Sequence, residues 1–277
     1  MSGTPRTAFV LGGGGLLGAV EVGMLRALLE RGVRPDLVLG TSVGALNGLV
    51  VAADPTPAAV DRLLELWRSV SGDDPVYADG PLRQVGRAVR TGTHLHSALP
   101  LRRRLEAELG DTRFEDLAVE FRCVAACIER SAEHWFDSGP VVPAVMASAA
   151  VPGLLPPAEV DGEHFLDGGV VNSVPLGKAA ELGAERVFVL QVGRVERPLA
   201  VPRRPWEVAR VSFEIARRHR FVRELAELPD HVTAHVLPSG STAADDSPLA
   251  YRDTRRVARR IDAAYEQSCA YLEEHRC

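Results

Sequence analysis

Residues 7–53 read TAFVLGGGGLLGAVEVGMLRALLERGVRPDLVLGTSVGALNGLVVAA, and the order of apolar runs and glycines in them decides the fold class. Thr7 to Leu11 is a short β-rich apolar run that stops at Gly12, as a buried strand does. Gly12 to Gly15 cannot continue a regular element and form a loop. From Gly18 to Arg31 the pattern turns helical, with Val20, Met24, Ala27 and Leu28 on one side and Gly32 placed as a C-cap. Asp36 to Leu39 reads as a second strand. The turn Gly40–Gly44 follows, and a helix of small residues runs from Val43 to Ala53. Strand, glycine loop, helix, strand, sharp turn, helix is the order of a mainly parallel α/β sheet with helices on both faces.

Outward from this stretch, Thr56 to Gly110 is helical, with loop breaks expected at Ser71–Pro81 and Thr91–Ser97. Leu117 to Ile128 and Glu133 to Phe136 read as paired strands. Val141 to Ala150 is a short helix stopped by Pro152. Asp161-Gly162 supplies the positive φ values of a hairpin turn. Leu176 to Leu182 is a helix and Arg186 to Val192 a strand. The proline- and arginine-rich Arg194–Pro205 reads as a connection or lid. Pro205 to Leu228 is a long helix, Val232 to Leu237 a last strand, and Asp253 to His275 a closing helix. With no internal repeat, one α/β domain over residues 1–277 is expected, with a motif-bearing core at 7–192 and a C-terminal extension at 193–277.

The bulk numbers narrow the function classes. The 277 residues, 46% hydrophobic and 25% charged, suit an ordinary globular chain that buries a core without disulfides or metal. A net charge of −5 gives no global basic excess, so no nucleic-acid partner is expected. Cys123 and Cys127 fall in a strand and read as small buried hydrophobes; with Cys269 and Cys277 they complete no metal pattern. The N-terminal apolar run ends in glycines and not at a small-residue cleavage site, and no stretch is long enough to span a membrane. A cytoplasmic location is the expectation.

Three short patterns carry chemistry. Gly40-Thr41-Ser42-Val43-Gly44 is a G-x-S-x-G between a strand and a helix, the setting of a nucleophile elbow, with Gly40 and Gly44 where the two backbones come close. The alternative is a serine that merely caps the helix. Gly12 to Gly18 lets backbone N–H groups point at an anion, with a helix N-terminus behind them. That anion is either a phosphate or the oxyanion of an acyl intermediate. Gly13-x-Gly15-x-x-Gly18 also satisfies a dinucleotide-binding loop, but Asp36 stands at the beginning of the second strand, the wrong end to meet a ribose. In Phe165-Leu166-Asp167-Gly168-Gly169 a carboxylate ends a short strand beside two glycines. It is either a general base or an ordinary Asp-Gly turn.

Together, and in this order, the three patterns resemble the patatin-like phospholipase family, whose members carry a glycine-rich oxyanion loop, then G-x-S-x-G, then D-G-[GA]. The block Ala147-Ser148-Ala149-Ala150-Val151-Pro152-Gly153 also looks like the family's small-residue and proline segment, and the match spans about residues 7 to 192. The resemblance implies a three-layer sandwich and a Ser–Asp dyad with no catalytic histidine. Ser42 would be the nucleophile and Asp167 the base, supported by Gly168 and Gly169, with the amides of Gly13, Gly14 and Gly15 as oxyanion hole. It implies hydrolysis of lipid acyl esters, as by a lysophospholipase, phospholipase A or carboxylesterase, without metal or organic cofactor. An acyltransferase using the same acyl-serine is the neighbouring alternative, and a non-catalytic nucleotide-binding protein the more distant one. Leu17 stands where many family members carry Arg or Lys.

The remaining signals are weaker. His219, His231 or His235 would complete a Ser…Asp…His order, and His164 lies three residues before Asp167. His94-Leu95-His96 reads as a loop and not a metal pair. Between Arg203 and Arg223, arginines interleave with Trp206, Val211, Phe213, Ile215 and Phe221. Such a helix either packs on the core with a solvated arginine face or lies on an anionic membrane surface.

Overall fold

A computed structural model describes residues 5–70, 94–192, 198–240 and 254–277. The first half of the chain gives β1 (Thr7–Leu11), α1 (Ala19–Glu30), β2 (Leu37–Thr41), α2 (Val43–Ala53), α3 (Pro57–Val70), α4 (Leu99–Leu109), β3 (Glu120–Cys127) and β4 (Ala132–Phe136). The second half gives α5 (Val141–Ser148), β5 (Ala158–Val160), β6 (Glu163–Asp167), α6 (Leu176–Glu181), β7 (Arg186–Leu190), α7 (Pro205–Ala226), β8 (Thr233–Leu237) and α8 (Thr254–Glu274). The loop expected at Ser71–Pro81 and the first residues of the Arg194–Pro205 segment lie outside the described residues.

The strands form one eight-stranded sheet, hydrogen-bonded in the order β5-β6-β3-β2-β1-β7-β8, with β4 also paired to β3. Strands β3, β2, β1, β7 and β8 are parallel, while β4, β5 and β6 join antiparallel. The central strands β1, β2 and β7 are mostly apolar along their length because both faces are covered. Their period-2 alternation divides them between two cores. Phe9, Leu11, Val38, Phe188 and Leu190 pack on the side of α1, α2, α3, α5 and α8. Ala8, Val10, Leu37, Leu39, Val187 and Val189 pack on the other side, with Leu176 and Ala179 of α6 and Phe221 of α7. The result is the three-layer α/β arrangement.

The second strand starts one residue later and ends two residues further on than its apolar run suggests. Asp36 lies outside it because its Oδ2 accepts the Thr7 N–H at 2.8 Å. Gly40 and Thr41 stay within it because they pair with Cys123 and Val124 of β3. The β5–β6 turn has Asp161 at φ 50° and Gly162 at φ 80°, the two positive values that an Asp-Gly hairpin needs.

One feature of the register positions the site. β2 runs parallel to β3 and ends with Thr41 opposite Val124. β6 runs antiparallel to β3 and ends with Asp167 opposite Ala125. β4 occupies the far edge of β3 over Cys123 to Cys127, so β2 and β6 share the near edge and meet there end to end. Two strands from distant parts of the chain thus deliver their C-terminal residues to adjacent positions of a third.

Candidate active site

Ser42 follows directly on β2 and stands at the N-cap position of α2. Its backbone is held at φ 55°, ψ −122°, a conformation that L-residues rarely adopt. Close packing imposes this turn. A β-carbon on Gly44 would lie 2.4 Å from the carbonyl oxygen of Leu11, so only glycine lets the head of α2 approach the end of β1. The Ser42 amide donates to Ser148 Oγ at 2.9 Å, and the Thr41 hydroxyl donates to Asn172 O at 2.8 Å. The strained residue is therefore held from both sides.

The Ser42 side chain makes no cap bond to α2. Its Oγ instead donates to Asp167 Oδ2 at 2.5 Å. Asp167 is fixed in turn: its amide donates to Ala150 O at 2.9 Å, and its Oδ1 accepts the Gly169 N–H at 2.7 Å. The Asp-Gly turn and the candidate base are thus one structure, since the oxygen that caps the turn leaves the other free for Ser42. Gly168 is forced by proximity, because a β-carbon there would lie 2.1 Å from Val124 O. Both dyad residues are 5% exposed. Burial pushes the Asp167 carboxyl up to about 6, against the lowering pull of the Ser42 and Gly169 hydrogen bonds.

The glycine loop leaves β1 over the same end of the sheet. Gly13 departs from the expectation that it is a free donor. Its N–H donates to Ser173 O at 2.8 Å, and Gly12 N–H donates to Leu190 O at 2.9 Å, so these two residues anchor the loop. Gly14 and Gly15 are exposed, and their amides make no hydrogen bond to the rest of the described chain. Beneath the loop lies a buried polar network that a reading for motifs passes over. Asn47 Nδ2 donates to Gly18 O at 3.0 Å and to Glu21 Oε2 at 2.7 Å, while Trp67 Nε1 donates to Asn47 Oδ1 at 3.1 Å. Desolvation holds the Glu21 carboxyl well above the usual carboxylate range. Asn47 lies five residues after Ser42, so one turn of α2 ties the loop to the elbow. Ser148 and Asn47 are polar side chains inside otherwise apolar helices, and that is the signal by which the sequence marks them.

No histidine reaches the dyad among the described residues. Both carboxylate oxygens of Asp167 are engaged by Ser42 and Gly169. His164 pairs with Glu129 at 2.7 Å on the surface, and His235 stacks on Phe188 beside Cys277. Among the described residues, no three His, Cys, Asp or Glu side chains converge as metal ligands would.

α7 packs on the core through Phe221, with arginines held in ion pairs. Arg217 and Arg218 pair with Glu214, Arg220 with Glu224 and Glu133, and Arg223 with Glu227. The apolar Val208, Phe213, Ile215 and Val222 are exposed instead, and Phe221 is buried in the core. Phe213 borders the site, with its Cζ 3.2 Å from where a Gly169 β-carbon would stand.

Residues 9–180 match the family model described as Patatin-like phospholipase. A patatin-like phospholipase domain-containing protein of Caenorhabditis elegans is 34% identical over 68% of this chain and 14% of its own length. The lysophospholipase nte1 of Aspergillus terreus is 31% identical over 68% of this chain and 12% of its own. The chain therefore spans only a small part of the length of these curated relatives. Among solved structures, VipD from Legionella pneumophila superposes with a TM-score of 0.49 at 14% identity, over 99% of this chain and 68% of that one. The matched region contains the glycine loop, the elbow with its outward serine and the Asp-Gly-Gly turn, and on this the chain belongs to the patatin-like phospholipase family.

Proposed function

We propose that the protein is a serine acyl hydrolase of lipid carboxylic esters, of lysophospholipase or phospholipase A type, that also accepts simple esters. One observation carries the reading: the Ser42 hydroxyl, placed where it would cap a helix, gives its hydrogen to a buried aspartate instead. In the first half-reaction Ser42 Oγ attacks the ester carbonyl while Asp167 takes its proton. The carbonyl oxygen becomes an oxyanion, and the exposed Gly14 and Gly15 amides at the head of α1 are its donors. Collapse expels the alcohol, which takes the proton from Asp167. Water then attacks the acyl-serine by the same route and releases the fatty acid. The name of the fungal relative fits a lysophospholipid substrate.

The same reading includes a peripheral contact with the lipid surface. Among the described residues no helix is long and apolar enough to cross a membrane. The exposed Val208, Ile215 and Val222 recur every seventh residue along α7, and Phe213 on that helix borders the Asp167 turn. An exposed apolar stripe of this kind suits the headgroup region of a lipid surface.

The test is release of fatty acid from 1-palmitoyl-lysophosphatidylcholine and of nitrophenolate from p-nitrophenyl butyrate. Wild type is expected to cleave both and Ser42→Ala neither. Ile215→Asp with Val222→Asp is expected to lower the rate on vesicles and spare the soluble ester. A folded wild type inert on lysophospholipid, diacyl phospholipid and soluble ester would sink the proposal.

A further inference from the structure

Several buried polar side chains among the described residues have an atom without a hydrogen-bond partner, and Ser173 is the one that stands against both the glycine loop and the Asp167 turn. Ser173, six residues after Asp167, is 4% exposed, and its Oγ has no hydrogen-bond partner among the described residues. A buried hydroxyl without a partner destabilises a fold, so such a position points to a bond made with something other than the chain.

Its surroundings say where that bond lies. The Ser173 carbonyl already belongs to the site, since it accepts the Gly13 N–H. A β-carbon on Gly13 would lie 3.4 Å from Ser173 Oγ and 3.5 Å from Ser42 Cβ. One on Gly169 would lie 3.9 Å from Ser173 Oγ and 3.0 Å from Asp167 Oδ1. The hydroxyl is therefore one small molecule away from both the nucleophile and the base. It lies between Gly13 of the glycine loop and Gly169 of the Asp167 turn. A small molecule that joins Ser173 Oγ to Asp167 is placed to be the second nucleophile.

We propose that Ser173 Oγ holds the water that hydrolyses the acyl-enzyme, and so sets the preference for water over other acyl acceptors. The inference rests on the Ser42–Asp167 reading above. In the acyl-enzyme Ser42 Oγ carries no hydrogen, and Asp167 Oδ2 is released from it. The water donates one hydrogen to Asp167 and the other to Ser173 Oγ, which leaves a lone pair for the acyl carbon. As the new C–O bond forms, the first proton passes to Asp167. Collapse breaks the bond to Ser42 Oγ, which takes that proton back, and the carboxylic acid leaves. Ser173 exchanges no proton and is a positioning residue for water.

The test separates the two half-reactions in the 277-residue chain with p-nitrophenyl butyrate. In Ser173→Ala the first turnover, read as nitrophenolate with enzyme in excess, is expected to stay within about twofold of wild type, and steady-state turnover to fall by about tenfold or more. Butyryl-Ser42 should then accumulate in the intact mass spectrum. Ser173→Thr, which keeps a hydroxyl, should recover part of the turnover. Ser173→Ala should melt no lower than wild type, because it removes an unpartnered polar group. Equal loss in both phases, unchanged steady-state turnover, or a Ser173→Ala protein that fails to fold would each overturn the proposal. A wild type that never acylates Ser42 would overturn the dyad reading itself, and this inference with it.

Discussion

Ser42 Oγ donates to Asp167 Oδ2 across 2.5 Å although 125 residues separate the two in the chain. The meeting is a consequence of register. β2 and β6 approach β3 from opposite directions along one edge and stop at Val124 and Ala125, so the residues at their C-terminal ends become neighbours. The Ser148 hydroxyl then fixes the Ser42 amide, and Gly169 fixes the second carboxylate oxygen of Asp167. The dyad is held by strand pairing, by the Ser148 hydroxyl at Ser42 and by the Gly169 amide at Asp167.

Activity should follow the ionisation of Asp167. Burial pushes its carboxyl up to about 6, and a base accepts a proton only as the carboxylate. The expected kcat/KM is level above that pH and falls about tenfold per pH unit below it. A rate profile on p-nitrophenyl butyrate that stays flat well below pH 6 would contradict the assignment.

The same raised pKa makes a prediction about stability. The folded state favours the neutral carboxyl, so this group's favourable contribution is full below the unfolded value of about 3.8 and is lost as pH rises through about 6. Asp167→Asn cannot ionise, yet it can accept from Gly169 and donate to Ser42. It should be more stable than wild type at pH 8 by on the order of 2 kcal/mol, with the difference closing near pH 4. Urea denaturation at the two pH values measures this. An Asn variant less stable at both would show that the burial of Asp167 stores no such cost.

The backbone of Ser42 stores strain that its side chain does not relieve. At φ 55°, ψ −122°, glycine is the residue without a steric penalty. Ser42→Gly should therefore be more stable than Ser42→Ala by about 1 kcal/mol, even after the entropy that glycine adds to the unfolded chain. Both should be inactive. Equal thermal midpoints for the two would mean that the turn is unstrained.

Asn47 holds together three buried groups: the Gly18 carbonyl, the Glu21 carboxyl and the Trp67 indole. Asn47→Ala leaves all three without that partner and should cost about 2–4 kcal/mol. Asn47→Asp should also destabilise, because it removes the donor and sets a second acid against Glu21. If Asn47→Ala denatures like wild type, the network does not stabilise the loop.

Much of this could be read in the sequence, for local reasons. β1 and β7 are apolar at every position after their first residue, which marks strands covered on both faces, and Asp161-Gly162 fits a tight turn. Ser42 and Asp167 are visible because glycines flank the first and follow the second, where a β-carbon on Gly44 or Gly168 would lie 2.4 Å or 2.1 Å from a neighbouring carbonyl oxygen. What escaped was long-range. That the Gly13 amide would turn to Ser173 depends on how two distant loops pack. The face that α7 would bury could not be told from interleaved arginines and aromatics, because glutamates three or four residues away claim most of the arginines and leave the apolar side exposed. The asparagine under the glycine loop looked like one more residue of a helix.

The most direct test of the central claim is a fluorophosphonate probe applied to the folded protein, with the labelled residue mapped by mass spectrometry. A single label is expected on Ser42, absent in Ser42→Ala and strongly slowed in Asp167→Asn, with the wild-type rate of labelling falling as pH drops through about 6. Labelling of Ser42 that proceeds unchanged in Asp167→Asn would contradict the role given to Asp167, and a folded wild type that takes no label would contradict the account of Ser42 as a nucleophile.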